Sequence, residues 1–192
     1  EIVVRLVGSE MCIRDSTLPT SGEDLFLDDW DIDGTPDIMV RCETAANQST
    51  FYMLHQFNPL SYRFEHVSNA GQLTGAYDKF VTGGNHGGNP RPDLIAFTAG
   101  SSVNAYLFPL DLNQRFTNGN RWLMISGLDA NAIEEPIAGD WTGDGTGDIL
   151  IPHSDGLLEL YRGRGHAQKM ERWSPITSDM PIGYTQQLTG SF

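Results

Sequence analysis

The sequence is poor in cysteine, in basic residues and in long apolar runs. Its two cysteines, Cys12 and Cys42, are too few for the disulfide framework that holds small secreted scaffolds. Lys and Arg number 12 against 25 Asp and Glu, a formal net charge of −13 at pH 7. Phosphate backbones are held by clustered basic side chains, so this balance argues against nucleic acid as a main partner. It is compatible with cation binding, although an acidic surface also serves solubility alone. No apolar run is long enough to span a bilayer as a helix. No stretch keeps a helical period over three turns. H-E-x-x-H, G-x-S-x-G, the Walker loop and the dinucleotide fingerprint are all missing. The glycine-rich "GGNHGG" at 83–88 lacks the lysine and following helix that cradle phosphate.

Glycine (21) and proline (10) are plentiful, and 39% of the 192 residues are apolar. That is enough for a core, in one domain or part of one, and it favours a turn-rich all-β protein. Glu1–Asp15, "EIVVRLVGSEMCIRD", resembles the translation of a transposase-type sequencing adapter, with Ser16 straddling the junction. An ordinary first strand at Ile2-Val3-Val4 is the alternative. We set residues 1–16 apart as an adapter-derived segment and take 17–192 as the protein proper. Cys42 then stands alone, with no partner for an internal disulfide. Without Glu1–Asp15, 10 basic and 22 acidic residues remain, so the acidity belongs to the rest of the chain.

Internal repetition dominates what is present. "DWDIDGTPDIMV" (29–40) aligns with "DWTGDGTGDILI" (140–151), and a weaker copy, "NHGGNPRPDLIAF", runs from Asn85 to Phe97. The loops span 29–37, 85–93 and 140–148, and their closing aspartates Asp37, Asp93 and Asp148 lie 56 and 55 residues apart. "LTGSF" (188–192) resembles "IAGDW" (137–141), as though a fourth loop begins there. Between loops the pattern is β. Ile38, Val40 and Cys42 share one face, with Arg41 and Glu43 opposite, and Phe51, Met53, His55 and Phe57 alternate likewise. "DLIAF", "DILI", "AYLFPL", "LLELYRG", "NRWLMIS" and "ERWSPI" supply further short strands. About four strands per roughly 55 residues is the size of a propeller blade. The expected architecture is an all-β propeller fragment of about three four-stranded blades, stacked because one sheet cannot bury both of its faces. Trp30 and Trp141 are expected on the strand entering the loop, within the inter-blade core.

The loops have calcium chemistry. Side chains at positions one, three and five converge when the chain curls, and glycine at six permits the turn. A hard cation takes six to eight oxygens, which carboxylates and a position-seven carbonyl supply. The first loop offers Asp29, Asp31, Asp33, the Thr35 carbonyl and Asp37; the third offers Asp140, Thr142, Asp144, the Thr146 carbonyl and Asp148. Like charges about 4 Å apart repel by roughly 1 kcal/mol in water and about 4 near a protein surface. Four carboxylates gathered in the first loop therefore call for a cation. The alternative for any single loop is an acidic turn with splayed side chains. Thr142 makes the third loop the weaker of the two. The middle loop keeps one carboxylate, Asp93, with Gly87, Asn89, Pro90 and Arg91 at positions three, five, six and seven, and is expected to bind no calcium. Arg91 either replaces the lost charge or faces water. An EF-hand is excluded because its position-twelve glutamate is replaced by Val40 and Ile151, both in expected strands, and a dockerin-type loop because no helix follows.

"GDWTGDGTGDI", "DDWDIDGTPDI" and the degenerate "GNHGGNPRPDL" resemble the FG-GAP/VCBS repeat family, whose motif runs G-D-F-N-G-D-G-x-x-D-[LI]. The resemblance covers Ser21–Phe192 as repeating units. Departures are the degenerate middle loop and Asp28 in place of the usual glycine. The family is similar to the calcium-binding blades of the integrin α-chain propeller and occurs in bacterial secreted and surface proteins. The resemblance implies structural Ca²⁺ in a seven- or eight-bladed propeller, with further blades of the same chain needed to close it, and an extracellular or cell-surface location. The resulting expectation is a non-catalytic module for adhesion or binding of a protein or glycan ligand. The alternatives are the propeller part of a larger secreted carbohydrate-active enzyme, or a lectin using exposed Trp122 or Trp173. His55, His66, His86, His153 and His166 are expected on strand or loop surfaces, and "YRGRG" (161–165) as a hairpin turn with two solvated arginines.

Overall fold

The computed structural model describes residues 24–58, 60, 63–83, 85–86, 90–129, 133–165 and 169–173. The adapter-like segment, Gly87 and Asn89 of the middle loop, His166 and the 188–192 segment lie outside the described residues.

The described chain is all-β, with no α-helix among its described residues and one 3₁₀ turn at Asn118–Asn120. Twelve strands form three four-stranded antiparallel sheets, each a meander in chain order. The first sheet holds β1 (Asp24–Asp28), β2 (Asp37–Ala45), β3 (Gln48–Asn58) and β4 (Arg63–Thr74). The second holds β5 (Tyr77–Thr82), β6 (Asp93–Thr98), β7 (Ser102–Pro109) and β8 (Trp122–Asp129). The third holds β9 (Ile137–Gly139), β10 (Asp148–Pro152), β11 (Leu158–Arg162) and β12 (Glu171–Arg172). Each closing aspartate begins the second strand of its sheet. The chain forms two compact units, one built from the first sheet and residues 110–120, the other from the second and third sheets.

In the first unit both faces of the sheet are covered. Val40, Cys42 and Leu54 cluster with Ile38, Tyr52, Phe64 and Val67. On the other face Met39, Phe51 and Met53 are fully buried. Phe116 stands edge-on to both Phe51 (5.3 Å) and Trp30 (5.9 Å). Arg41, on the face opposite Cys42, is buried and bonded to Asp24 and Ser49. In the second unit β6 and β10 are apolar on both sides. Ile95, Phe97, Leu107, Ile149, Ile151 and Met170 are the heart of a core shared by its two sheets.

One backbone device recurs. The β3–β4 register slips between Phe51–Gly71 and Tyr52–Asn69, leaving Ala70 bulged. The β7–β8 register slips between Ala105–Ile125 and Tyr106–Leu123, leaving Met124 bulged. A bulged residue loses its ladder partner and must find another. Ala70 O accepts from Phe116 N (2.7 Å) and Met124 O from Met170 N (3.0 Å). Donor and acceptor have moved along the chain by the same interval, so the repeat extends to main-chain hydrogen bonds outside the loops.

Two placements differ from expectation. Both tryptophans sit two residues past the first strand, inside the loop's first turn, because β1 ends at Asp28 and β9 at Gly139. Trp30 is completely buried, but Trp141 is 42% exposed. Phe116 covers Trp30 within the first unit, whereas Trp141 lies partly against its own Gly139.

Candidate cation site

The first loop is built by carboxylates that fold their own backbone. Asp29 accepts from Asp33 N and Gly34 N, both at 3.0 Å, and Asp31 Oδ1 from Asp33 N at 3.1 Å. Asp37 Oδ2 accepts from Asp31 N at 3.1 Å, across the loop. These bonds curl residues 29–37 until one carboxylate oxygen each from Asp29, Asp31 and Asp37 lies within 4.8 Å of the others. Asp33 does not join this group; its Oδ1 turns back to the Thr35 hydroxyl and to Thr35 N (2.8 Å), and those bonds lower its pKa. The Thr35 contacts shown are through its N–H and hydroxyl.

Asp37 is the most demanding member. It is fully buried, and its Oδ1 has no hydrogen-bond partner. Burial pushes its pKa up to about 6, against the bonds from Asp31 and Trp30 main chain, with Asp31 and Asp33 adding repulsion. A buried, unsatisfied carboxylate oxygen beside two further carboxylates fits a hard cation, since an all-oxygen donor set is what such an ion selects. His55 lies beside the group, nine-tenths buried, with Nδ1 3.3 Å from Asp31 Oδ2, and it stacks on exposed His66 at 4.5 Å.

The third loop has the same frame and a different content. Asp140 Oδ1 accepts from Gly143 N (2.7 Å) and Asp144 N (3.1 Å), and its Oδ2 from Gly145 N (2.8 Å). Asp148 Oδ2 accepts from Thr142 N and its Oδ1 from Gly163 N, each at 2.9 Å. Asp144 Oδ1 accepts from Thr146 N (2.9 Å), while Asp144 Oδ2 takes both Nε (3.1 Å) and Nη2 (2.7 Å) of Arg162. Arg162 and the loop amide together hold the Asp144 carboxyl below its ordinary range. Arg162 therefore lies on the loop instead of standing free in water. Among the described residues, Asp29, Asp31 and Asp37 are the group of acidic side chains gathered around one point.

The middle loop keeps the closing bond, His86 N to Asp93 Oδ2 at 2.9 Å. His86 occupies the place of Trp30 and Trp141 and is buried, with Nε2 2.9 Å from Gly83 O. Burial lowers its pKa. His55 and His86 are thus interior residues, contrary to the surface placement expected: both faces of the sheet that carries His55 are covered, and His86, on the loop, packs against Gly147. Gly147 lies so close to His86 that an added Cβ would come within 2.4 Å of its ring. Arg91 is half-buried.

A separate polar cluster surrounds Glu159, which is buried. Tyr161 OH donates to it at 2.9 Å, Arg172 pairs with it, and His153 Nε2 lies 3.4 Å away. Burial and the Glu159 bond push the Tyr161 pKa up to about 12, so it stays a hydrogen-bond donor.

Val40 and Ile151, at position twelve of the two acidic loops, lie within β2 and β10, which removes the EF-hand geometry. Sequence reasoning put His55 on a surface and Arg162 in solvent, and set neither beside a loop. Pairing each second strand with the third strand of its hairpin would have placed both opposite a closing aspartate. No protein-family model matches the chain, and no curated protein matches it.

Proposed function

We propose that this chain is a non-catalytic, calcium-binding repeat module of an extracellular or cell-surface protein, with the ion serving structure. One observation carries the reading: Asp29, Asp31 and Asp37 converge within 4.8 Å around a fully buried Asp37 oxygen that lacks a partner. The ligands would be those three carboxylates, with Asp33 and the Thr35 carbonyl as further oxygen donors on the same loop. The ion would neutralise the mutual repulsion of the group and tie β1 to the start of β2. Three repeated meanders, a repeated loop and a repeated bulge support stacked propeller blades of the FG-GAP/VCBS kind. Extracellular calcium levels suit modules of about 10⁻⁴ to 10⁻³ M affinity. No helix among the described residues is long and apolar enough to cross a membrane.

The test is a calcium titration of the chain beside its Asp37→Asn variant. Saturable millimolar-or-tighter binding, weakened at least about tenfold in the variant, is expected; equal binding by both would remove Asp37 from the site. A lectin role is favoured by one observation: Trp122 and Trp173 are 37% and 49% exposed, and such indole faces stack on sugars. Glycan binding lost in Trp122→Ala or Trp173→Ala would assign the ligand class.

A further inference from the structure

The three loops share a frame, yet the residue facing the closing aspartate across the hairpin differs in each. Asp93 pairs with Pro109. Continuing the Ile38–Leu54 and Ile149–Tyr161 registers by one step sets Asp37 opposite His55 and Asp148 opposite Arg162. We propose that this cross-strand residue distinguishes the two acidic loops, and that Arg162 is a tethered cation that closes the Asp140–Asp148 loop against a divalent cation.

The hydrogen bonding of the third loop supports this. A ligand must have lone pairs to offer. Asp140 accepts loop N–H groups on both oxygens, as Asp29 does in the first loop; the difference lies at Asp148, whose Oδ1 accepts from Gly163 N while Asp37 Oδ1 has no hydrogen-bond partner. The remaining carboxylate, Asp144 at position five, holds the Arg162 fork on Oδ2 and Thr146 N on Oδ1. The guanidinium is charged at every physiological pH, so it supplies the positive charge that an ion would otherwise bring. One ligand-position atom is left over: the Thr142 hydroxyl is buried and has no hydrogen-bond partner. In the first loop the matching side chain is the shorter imidazole of His55, beside Asp31 and not at position five. Neither of its ring nitrogens makes a hydrogen bond, and it is nine-tenths buried. Asp37 Oδ1 there stays unsatisfied. One frame thus yields an open loop and a self-closed loop, which differ in the cross-strand residue, in Thr142 for Asp31 and in the Gly163 bond to Asp148.

Arg162 and Asp144 are both partly exposed, with 41% and 28% of their side chains accessible. An exposed ion pair is weak and displaceable. Removing it should therefore raise the affinity of the third loop by about twofold to fivefold, without rebuilding the loop.

The inference rests on the calcium reading above, and the experiment separates the two. Calcium is titrated into the full chain, into Asp31→Asn, and into Asp31→Asn with Arg162→Gln, with urea unfolding midpoints in chelator recorded for each. If Asp31→Asn leaves calcium binding unchanged, the first-loop reading fails. If the double variant binds calcium at least about twofold more tightly than Asp31→Asn, although its metal-free midpoint is equal or lower, Arg162 is the closing cation. A merely structural Arg162 would lower both quantities together. Equal calcium affinity in the double and single variants overturns the inference and leaves the first-loop reading intact. So would an unmodified chain whose third loop already binds as tightly as its first.

Discussion

At the residue scale, position four of each acidic loop must enter the left-handed region. Gly143 meets this at φ 73°, but the first loop places Ile32 there at φ 64°. A β-branched side chain in that region costs about 1–2 kcal/mol, and Ile32, 45% exposed, recovers little by burial. Glycine would remove that strain at an entropic cost of roughly 0.5–1 kcal/mol. Ile32→Gly is therefore expected to stabilise the first unit by about 0.5–1 kcal/mol in urea unfolding; a lower midpoint would show that the Ile32 side chain contributes packing. Asp37 sets the pH response. Its folded pKa of about 6 lies above the ordinary aspartate value of 3.8, so in the metal-free chain its contribution to stability is fully present below about pH 3.8. That contribution is lost as pH rises through about 6. Asp33, Asp144 and Glu171, whose pKa values are lowered, act in the opposite sense but cancel when the chain is compared with Asp37→Asn. In chelator, the stability of the chain relative to that variant should fall between about pH 4 and pH 7, and saturating calcium should abolish the fall. A flat difference in chelator would mean that Asp37 does not sense its burial.

At the scale of elements, the fourth strand carries the device that alternation does not reveal. Gly71 follows the bulged Ala70 with φ 103°, and an added Cβ would lie 2.3 Å from Phe116 O. Gly100 has a similar φ of 111° and nothing within 4 Å of such a Cβ. The pair separates backbone strain from close approach. Gly71→Ala should cost at least about 2 kcal/mol more than Gly100→Ala by urea unfolding, and equal costs would show that the 110–120 segment yields easily. The strands were legible because β-branched and aromatic residues alternate between Gly, Asn and Asp punctuation, and the meander followed from short connections. The three closing aspartates were legible from spacing alone. The bulges at Ala70 and Met124 were not, since neither residue is a glycine and register slips depend on pairing. Arg162 likewise emerges only from strand pairing: eighteen residues separate it from Asp144, and the β10–β11 hairpin brings them together. The exposure of Trp141 was equally hidden, since burial of Trp30 depends on Phe116, far along the chain.

At the scale of the whole molecule, the two compact units carry differently bonded acidic loops. The first contains the open Asp29–Asp37 loop, and the second contains the loop that Arg162 engages. A ligand that binds only the folded form stabilises by RT ln(1 + [L]/Kd), about 2.7 kcal/mol at a hundredfold excess over Kd. That stabilisation reaches only the segments that unfold together with the site. Calcium should therefore slow amide hydrogen exchange in 24–58, 63–76 and 110–120, above all in β1, β2 and the bulged part of β4. Exchange in β6, β7 and β10 should change much less. Arg162→Gln should extend the protection to β10 and β11, because the opened third loop would then share in the binding. Protection spread evenly over both units in the unmodified chain would mean either that the third loop binds calcium as readily as the first or that the two units unfold as one; Asp31→Asn distinguishes these. If the units unfold as one, that substitution removes protection everywhere, and if each loop binds for itself, it spares the second unit.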